Sequence, residues 1–368
     1  MRVVDRRGRP VRGASVRLTQ TRHAFLFGSD TSMDHWGADA PGAQDRWYRG
    51  RMRALFNYAT NDGAELTPEA IRSPWFRTYR PTEIAGLERL KRAGFVVRSG
   101  HLVWGVPAEA AKDPAAHDRE VRRHMREVAA VAGPYMDACT LFNEFGGSGQ
   151  GVPGVGYGRV AAWAREARRL LPRARLIINE NALYTPGNLN AYLRLARELK
   201  ARGAPVDMIG EEGHFWQIVD PRDLLRNWDA LHAATGLPLA ITEADVKLGD
   251  FGDPRDEGEY FRDVLIAAFS HPAMAEFTMW GFSDDTHWLG DAPLYDRRHR
   301  LKPGGRAYLG LVYGKWWTRT GGATDARGTY AARGFLGDYR VTVTRGGRSR
   351  AVKTTLTKNS PPLRVLLD

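Results

Sequence analysis

The sequence predicts an α/β protein in which a (β/α)8 TIM barrel is joined to a small β-sandwich built from both chain termini. Eight short segments rich in β-branched and aromatic residues alternate with longer amphipathic segments through the middle of the chain. Strand–helix alternation repeated eight times is typical of a closed parallel barrel. A doubly wound open sheet is the alternative, but no glycine-rich phosphate turn follows the first strand.

The predicted barrel occupies residues 21–317. Its amphipathic segments, such as TEIAGLERLKRAG and YGRVAAWAREARRLLP, indicate helices, and several of them end in Gly or Pro as helices commonly do. The eight predicted strands are His23–Asp30, Ala54–Asn61, Phe95–Trp104, Asp137–Glu144, Arg175–Asn181, Met208–Phe215, Pro238–Asp245 and Glu276–Phe282.

Residues 1–20 and 318–368 carry a different pattern. The first of these segments resembles a hairpin, with MRVVD and ASVRLTQ on either side of a turn at Arg6–Pro10. The second contains short β runs separated by GD, GG and NSPP turns. Because an isolated two-stranded hairpin is marginally stable at best in water, we expect both segments to form one discontinuous β-sandwich domain.

The composition indicates a globular protein, with 43% hydrophobic and 26% charged residues among 368. No run approaches the roughly 20 apolar residues of a membrane span, and the N-terminus lacks the apolar core of a signal peptide. The single cysteine, Cys139, has no partner in the chain. We expect a monomer without a membrane partner. As the chain is written it is cytoplasmic, and it is secreted if a signal segment has been removed.

The chain is basic, with 54 Lys and Arg against 42 Asp and Glu and a net charge of +12. Two explanations of this positive charge are open: binding to an anionic polymer such as nucleic acid, or a codon bias that favours arginine. Only 8 of the basic residues are Lys, and many arginines are scattered over predicted helix faces. The sequence therefore favours codon bias as the origin of the positive charge and predicts no nucleic-acid partner.

Two carboxylates stand at the ends of apolar strands, where barrel enzymes place their chemistry. Glu144 ends CTLFNE and Glu243 ends the apolar part of LAITEAD, and the two positions are 99 residues apart in the sequence. That separation is three βα units, which places the carboxylates on strands four and seven, across the barrel mouth. Cleavage of a glycosidic bond needs such a pair, one protonated and one ionised. Each alone also fits a salt bridge or a helix cap.

Other polar and aromatic side chains follow the predicted strands at the same end of the barrel. Tryptophans there are suited to stack on the flat apolar faces of sugars. The candidate substrate-binding and supporting residues are Asp62, Glu65, His101, Trp104, Asn143, Asn179, Glu180, Glu212, His214, Asp245, Trp280, Asp284 and Trp288.

These stretches resemble glycoside hydrolase family 10, the endo-β-1,4-xylanase family. The matching segments are HLVWG, LFNEF, IINENALY, GEEGHF, ITEAD, MWGFSDDTHWLGDAPLYD and LKPGGRAYLGL. The resemblance implies a retaining β-glycosidase on a (β/α)8 barrel, acting on an oligo- or polysaccharide. It implies Glu144 as the acid/base and Glu243 as the nucleophile.

The same resemblance implies roles for the neighbours of the two carboxylates. Asn143 matches the residue that holds the sugar 2-hydroxyl, and Trp280 and Trp288 match the aromatic walls at the cleavage point. His214 matches the histidine that hydrogen-bonds the nucleophile, and Asp245 matches the carboxylate that orients this histidine.

Three sugar-contacting positions depart from the family pattern. Glu65 stands where the family's Glu-Asn-x-x-Lys element places its lysine, and Gly105 follows Trp104 where the family has a histidine. Glu212 replaces a glutamine on strand six. These departures leave open whether xylan is a substrate, the sugar and linkage, and endo or exo action.

The departures predict an acidic non-reducing side of the cleft and therefore a neutral or amino-bearing β-glycoside as the substrate. The acidic side chains expected there are Asp62, Glu65, Glu211 and Glu212. The alternative is that Glu65 and Glu211 pair with arginines such as Arg72 or Arg77 and never contact sugar.

Two other functions remain open. One is a carbohydrate-binding barrel without catalysis, although both carboxylates and the His214–Asp245 pair are retained. The other is a metal-dependent hydrolase using Glu211, Glu212 and His214, or the carboxylates near His287. Metal-dependent barrels usually carry an H-x-H pair on strand one, and HAFLFGSD has none. We expect no metal and no cofactor.

Overall fold

The computed structural model describes residues 1–61, 66–104, 112–145, 155–247 and 252–367. The chain divides into two compact units. The larger spans Leu26–Ala307, and the smaller combines Met1–Phe25 with Tyr308–Asp368. The sequence pattern placed the division after residue 20 and before residue 318.

The described strands, in chain order, are β1 (Arg2–Val4), β2 (Ser15–His23), β3 (Leu26–Asp30), β4 (Tyr58–Asn61), β5 (Val96–Trp104), β6 (Ala138–Asn143), β7 (Arg175–Glu180), β8 (Met208–Glu211), β9 (His214–Phe215), β10 (Leu239–Val246), β11 (Met274–Met279), β12 (Arg319–Ala323), β13 (Gly337–Arg345), β14 (Arg348–Leu356) and β15 (Arg364–Leu366). The described α-helices are α1 (Met33–Gly37), α2 (Ala43–Leu55), α3 (Pro68–Ile71), α4 (Pro74–Arg92), α5 (Pro114–Val131), α6 (Tyr157–Leu170), α7 (Pro186–Ala201), α8 (Pro221–Thr235), α9 (Pro254–Ser270) and α10 (Pro303–Tyr308).

The larger unit is the predicted (β/α)8 barrel. Strands β3, β4, β5, β6, β7, β8, β10 and β11 pair in this order, and all of the pairs are parallel. The barrel closes where β11 pairs with β3, for example Phe277 with Phe27. The short strand β9 extends the mouth by pairing with the end of β10, where His214 lies beside Asp245. The fold class predicted for the middle of the chain is confirmed.

The outer helices begin at the capping signals that the sequence carries. Asp220 and Asp253 accept hydrogen bonds from backbone amides in the first turns of α8 and α9, and a proline follows each cap. Gly236 ends α8 with a φ of 74°, a conformation in which glycine carries no Cβ penalty. The buried face of α8 includes Trp228. None of the described helices is long and apolar enough to cross a membrane.

A buried polar cluster lies inside the barrel. Arg98 donates a hydrogen bond to the carbonyl oxygen of Thr242, at 2.7 Å, and another to Thr60 Oγ1. Its guanidinium also lies 3.9 Å from a carboxylate oxygen of Glu276, and both side chains are buried. A buried charge is costly unless it is paired and hydrogen-bonded, so these contacts stabilise the cluster. They also fix β10 directly before Glu243.

The smaller unit contains two sheets on one apolar cluster. The four-stranded sheet is antiparallel, in the order β12-β2-β13-β14, and the second sheet pairs β1 with β15 in parallel. Val3 of β1 and Val365 of β15 share a cluster with Val16, Val341 and Val343 of the larger sheet.

The hairpin predicted for residues 1–20 is present only around its turn. The Asp5 amide donates to the Arg9 carbonyl oxygen at 2.9 Å and the Val11 amide donates to the Val3 carbonyl oxygen at 3.1 Å, but β1 and β2 belong to different sheets. Both strands pair with strands from the other end of the chain. Val3 and Val4 of β1 and Val16 of β2 are buried.

Candidate active site

Glu144 and Glu243 line the same pocket at the carboxyl ends of the barrel strands. Glu144 directly follows β6, and Glu243 lies within β10. The pocket has a volume of about 330 Å³. Its lining residues are His101, Trp104, Asn143, Glu144, Asn181, Ala182, Glu212, His214, Trp216, Glu243, Trp280 and Trp288.

Glu243 is buried and surrounded by hydrogen-bond donors. Asn179 Nδ2 donates to Glu243 Oε1 at 2.8 Å, and His214 Nε2 lies 3.3 Å from Glu243 Oε2. His101 Nε2 lies 3.8 Å from Oε1. Burial alone would raise the pKa of Glu243, but His101 and His214 outweigh this effect and lower the pKa below its usual value. Glu243 is therefore ionised at neutral pH.

His214 connects Glu243 to a second buried carboxylate. Its Nδ1 lies 3.0 Å from Asp245 Oδ1, and Trp288 Nε1 donates to Asp245 Oδ2 at 2.8 Å. Burial alone would lower the pKa of His214, but Asp245 and Glu243 outweigh it and raise the pKa well above its usual value. The imidazole is therefore charged, with one nitrogen directed at each carboxylate.

Glu144 is held by two donors and an unusual backbone conformation. Trp104 Nε1 donates to Glu144 Oε2 at 2.5 Å, and Asn181 Nδ2 donates to Oε1. The φ of Glu144 is 54°, in the left-handed region that costs a residue with a Cβ roughly 1–2 kcal/mol. The side chain is only partly buried, in contrast to Glu243. The two carboxylates of the pocket thus occupy different electrostatic environments.

A chain of amides links the two carboxyl-bearing strands. Asn179 Nδ2 donates to Asn143 Oδ1 at 2.8 Å as well as to Glu243, and Asn179 Oδ1 accepts from Thr242 Oγ1 at 2.6 Å. These bonds use both protons of the Asn179 amide. Asn143 reaches the pocket, whereas Asn179 stands behind it and orients Glu243.

Aromatic side chains form exposed walls around the carboxylates. Trp104 is 56% exposed, Trp288 is 54% exposed and Trp216 is 48% exposed. The rings of Trp216 and Trp288 meet edge to face with their centroids 5.9 Å apart. Trp280 also lines the pocket. Flat rings left open beside carboxylates match the expectation for a sugar cleft, since large apolar side chains are otherwise mostly buried.

Glu211 and Glu212 point to opposite sides of the barrel wall, although the sequence placed both in the cleft. Glu212 lines the pocket, whereas Glu211 accepts a hydrogen bond from Trp228 Nε1 of α8. Successive side chains of a strand alternate between its two faces, so only one of the pair can face the mouth. Burial raises the pKa of Glu211 to about 7.

Glu212 is almost fully buried beside the ionised Glu243. Burial and repulsion from Glu243 raise its pKa well above the usual value. Its Oε2 lies 3.8 Å from His214 Nε2. The raised pKa favours the neutral form of Glu212, which has the shape of a glutamine side chain.

Three predicted substrate-binding residues that the structure describes do not line the pocket: Asn179, which stands behind it, Glu180 and Asp284. Glu180 is fully buried and accepts a hydrogen bond from the Asn181 backbone amide. Asp284 accepts from the Ala292 amide and from Lys302 Nζ at 3.2 Å, so it stabilises the loop after β11. Glu180 and Asp284 were predicted because they lie at or after strand ends. The side chain of Glu180 is buried instead, and that of Asp284 binds Lys302.

Asn181 and Trp216 line the pocket and were missed in the sequence. Each lies two residues beyond a residue that was selected, Asn179 and His214 respectively, and the period of two along a strand was the signal that could have found them. Asp62 and Glu65 lie outside the described residues. Arg72, offered as an alternative partner of Glu65 and Glu211, forms ion pairs with Glu120 and Glu127 of α5 instead.

One group of metal-ligand type is present among the described residues. The potential ligand atoms of Glu212, His214 and Glu243 lie within 4.8 Å of one another. The other cluster considered, near His287, is not assembled, because Asp285 pairs with His299 Nε2 at 3.0 Å and Asp284 with Lys302.

The comparisons with known proteins agree with this geometry. Residues 151–311 match the profile described as Glycosyl hydrolase family 10. The match covers less than half of the chain and supports the resemblance to glycoside hydrolase family 10 that the sequence carries.

Individual relatives extend the match. The chain is 28% identical over 359 residues to anti-sigma-I factor RsgI6 of Acetivibrio thermocellus, covering 95% of this chain and 45% of that protein. It is 26% identical over 208 residues to endo-1,4-beta-xylanase 2 of Arabidopsis thaliana, covering 55% and 19% respectively. The chain thus spans less than half the length of these curated relatives.

Solved structures share the fold. Xylanase 10B from Thermotoga petrophila, in complex with xylobiose, has a TM-score of 0.67 and 20% identity, covering 79% of this chain and 95% of that one. Native xylanase 10B from Thermotoga maritima gives the same TM-score and identity, covering 79% and 96%.

Proposed function

We propose that the chain hydrolyses β-glycosidic bonds with retention of configuration, with Glu243 as the nucleophile and Glu144 as the acid/base. The observation that carries this proposal is the unequal environment of two carboxyl groups in one pocket. Glu243 is buried, surrounded by hydrogen-bond donors and ionised, whereas Glu144 is partly exposed in a pocket that four tryptophans also line. A retaining glycosidase needs this division of roles.

The first step forms a glycosyl–enzyme ester. A carboxylate oxygen of Glu243 attacks the anomeric carbon while the glycosidic bond breaks, and the carboxyl proton of Glu144 passes to the departing oxygen. Asn179 and His214 keep Glu243 directed at the pocket through bonds of 2.8 Å and 3.3 Å. Charge-assisted hydrogen bonds of this kind hold a buried carboxylate ionised.

The second step reverses these roles. The Glu144 carboxylate accepts a proton from water, the water oxygen bonds to the anomeric carbon, and the ester bond to Glu243 breaks. Glu243 leaves as a carboxylate, which the charged His214 stabilises. Asp245 acts through His214 and is a positioning residue, because its oxygens contact His214 and Trp288.

The proposed substrate is a neutral oligo- or polysaccharide with β-linkages, of the xylan type or close to it. The exposed faces of Trp104, Trp216 and Trp288 suit stacking on sugar rings. The raised pKa of Glu212 favours a neutral carboxyl, whose hydrogen-bonding character is close to that of an amide. One relative is named an endo-1,4-beta-xylanase, and one structure of the same fold holds xylobiose.

A carbohydrate-binding barrel without turnover is the second candidate. The relative that matches 95% of this chain is named an anti-sigma-I factor, not a hydrolase. This candidate predicts binding of xylo-oligosaccharides with no release of reducing ends. Retention of both carboxylates and of the His214–Asp245 pair favours the hydrolase.

The test compares Glu243→Gln and Glu144→Gln on two substrate types. Glu243→Gln should abolish turnover of both an activated aryl β-xyloside and xylo-oligosaccharides, because the nucleophile is gone. Glu144→Gln should impair the oligosaccharides far more than the aryl glycoside, whose leaving group needs no proton. Glu211→Gln is the matched control, since that carboxyl faces α8, and should keep near wild-type turnover. Equal losses on both substrates for Glu144→Gln would contradict its role.

A further inference from the structure

The net charge of +12 is confined to the smaller unit. Residues 1–25 and 308–368 contain 18 Lys and Arg and 4 Asp and Glu, a net charge of +14 in 86 residues. Residues 26–307 contain 36 Lys and Arg and 38 Asp and Glu, a net charge of −2 in 282 residues. A codon bias that favours arginine acts on the whole chain alike, so it does not explain why the positive charge is confined to one unit.

The sheet register gathers part of this charge into one row. Arg319 of β12 pairs with Thr19 of β2, Thr19 with Arg340 of β13, and Arg340 with Lys353 of β14. Directly paired residues share a face of the sheet, so the three cations stand on one face in a row that crosses all four strands. With strands about 4.8 Å apart, the row is roughly 14 Å long. Arg17 stands on the same face beside it.

This face is the solvent side of the sheet. Arg17, Arg319, Arg340 and Lys353 are exposed, whereas the intervening Val341 belongs to the apolar cluster behind them. Like charges directly opposite each other destabilise an antiparallel pair, which applies to Arg340 and Lys353. Among the described residues, no carboxylate lies within 4.0 Å of these four cations to relieve the repulsion.

The rest of the face is rich in hydroxyls and holds one carboxylate. Its positions on β13 and β14 include Thr342, Thr344, Ser349 and Thr355, and Asp338 accepts a hydrogen bond from Thr355 Oγ1 at 2.6 Å. A groove of about 600 Å³ runs along β2 and β12, where Gly321 places no side chain. None of the positions that share this face on the four strands is aromatic.

We propose that this basic face of the β unit, defined by Arg17, Arg319, Arg340 and Lys353, binds an anionic polysaccharide that carries carboxylates, such as one substituted with uronic acids. The row of cations complements charges spaced along a chain, and the hydroxyls hydrogen-bond to sugar. Single-stranded nucleic acid is less well matched, because its binding surfaces use aromatic rings to stack bases. The β unit thus anchors the polymer by its charged groups, a role separate from hydrolysis.

The test measures polymer binding in a Glu243→Gln background, so that no chain is cut. Arg340→Gln/Lys353→Gln removes two charges from the row. Arg348→Gln/Arg350→Gln removes the same charge from the other side of β14, where Arg350 pairs with the buried Val343. Titration calorimetry would compare a glucuronate-bearing xylan, unsubstituted xylan and a single-stranded oligonucleotide, with thermal melting to confirm folding.

The row variant should weaken binding to the glucuronate-bearing chain by about tenfold and reduce the salt dependence of binding, by analogy with lost phosphate contacts. The control pair should change it less than about threefold, as screened surface charges do. Equal effects of the two pairs, equal affinity for the unsubstituted chain, or tighter binding of the oligonucleotide would each overturn the proposal. Aryl xyloside turnover of the row variant, with Glu243 intact, should stay at wild type, which separates this test from that of the hydrolase.

Discussion

The barrel mouth and the basic face of the β unit use charge in opposite ways. In the mouth, Glu243 and Asp245 are buried, His214 is partly buried between them, and each has an ionic partner within 3.3 Å. On the basic face, Arg340 and Lys353 are exposed and stand opposite a like charge. A buried charge that loses its partner is costly, whereas an exposed one is screened by water and salt. Single substitutions should therefore have large effects in the mouth and small ones on the face.

The largest effect is expected from His214→Asn, which removes the link between the two buried carboxylates. We expect kcat/KM to fall by about 10²-fold or more, since proton-transfer and charge-positioning groups contribute on this scale. The loss of a donor should also raise the pKa of Glu243, so the acidic limb of the pH–rate profile should move to higher pH. Kinetics on an aryl β-xyloside from pH 3 to 9 would measure both.

His232→Asn is the matched control for that variant. His232 lies on the exposed side of α8 and contacts the Leu237 carbonyl oxygen. It should leave the pH–rate profile unchanged. A His214→Asn enzyme with lower kcat but an unmoved acidic limb would contradict the assignment of His214 to the ionisation of Glu243.

A stability effect is expected from Glu211→Gln. The folded-state pKa of Glu211 is raised from 4.5 to about 7 by burial, so the folded state binds a proton that the unfolded state releases. The stability from this protonation is complete below pH 4.5 and is lost as the pH rises through 7. Glutamine does not titrate, and the stability of the variant relative to wild type should rise by on the order of 3 kcal/mol across that window.

Urea unfolding at pH 4.5, 6 and 7.5 would measure this difference. Glutamine keeps an oxygen that can accept from Trp228 Nε1, so the packing contact survives in the variant. A difference in unfolding free energy that does not change with pH would show that folding does not shift the pKa of Glu211.

The smallest effect in the mouth is expected from Glu212→Gln. Because the raised pKa of Glu212 favours its neutral form, an amide of the same shape should change kcat/KM at neutral pH less than about threefold. At higher pH, ionisation of Glu212 beside Glu243 should lower wild-type activity. The variant should keep its activity there, because glutamine does not ionise. The alkaline limb of its pH–rate profile should therefore move to higher pH. Superimposable alkaline limbs for the two enzymes would exclude Glu212 as the titrating group.

The fold and the two principal carboxylates could be predicted because their signals are local and repeated. Eight strand–helix units and two acids at the ends of apolar strands are visible in the sequence alone. Side-chain direction was harder to predict: Glu211 and Glu212 are adjacent and chemically identical, yet only Glu212 enters the pocket. Which of the two glutamates faces the pocket depends on how the strand is rotated within the barrel, and two adjacent glutamates in a sequence do not specify that rotation.

Other misses arise from partners that are distant in sequence. Asp284 binds Lys302, and Arg72 binds Glu120 and Glu127 of a different helix. The pairing of β1 with β15 joins residues more than 350 positions apart, and the sequence pattern, which indicated that the two ends of the chain join, did not specify which strands pair. The division of charge was present in the composition, but it becomes visible only when the chain is divided into its two units.

Trapping of the covalent intermediate tests the central claim most directly. A 2-fluoro β-xyloside with an activated leaving group should inactivate the enzyme. The fluorine slows both steps, but the activated leaving group keeps the first step fast, so the covalent intermediate accumulates. Peptide mass spectrometry should then find one fluorinated sugar on the peptide that carries Glu243. A sugar on any other residue, or turnover that yields the inverted anomer without labelling, would contradict the account.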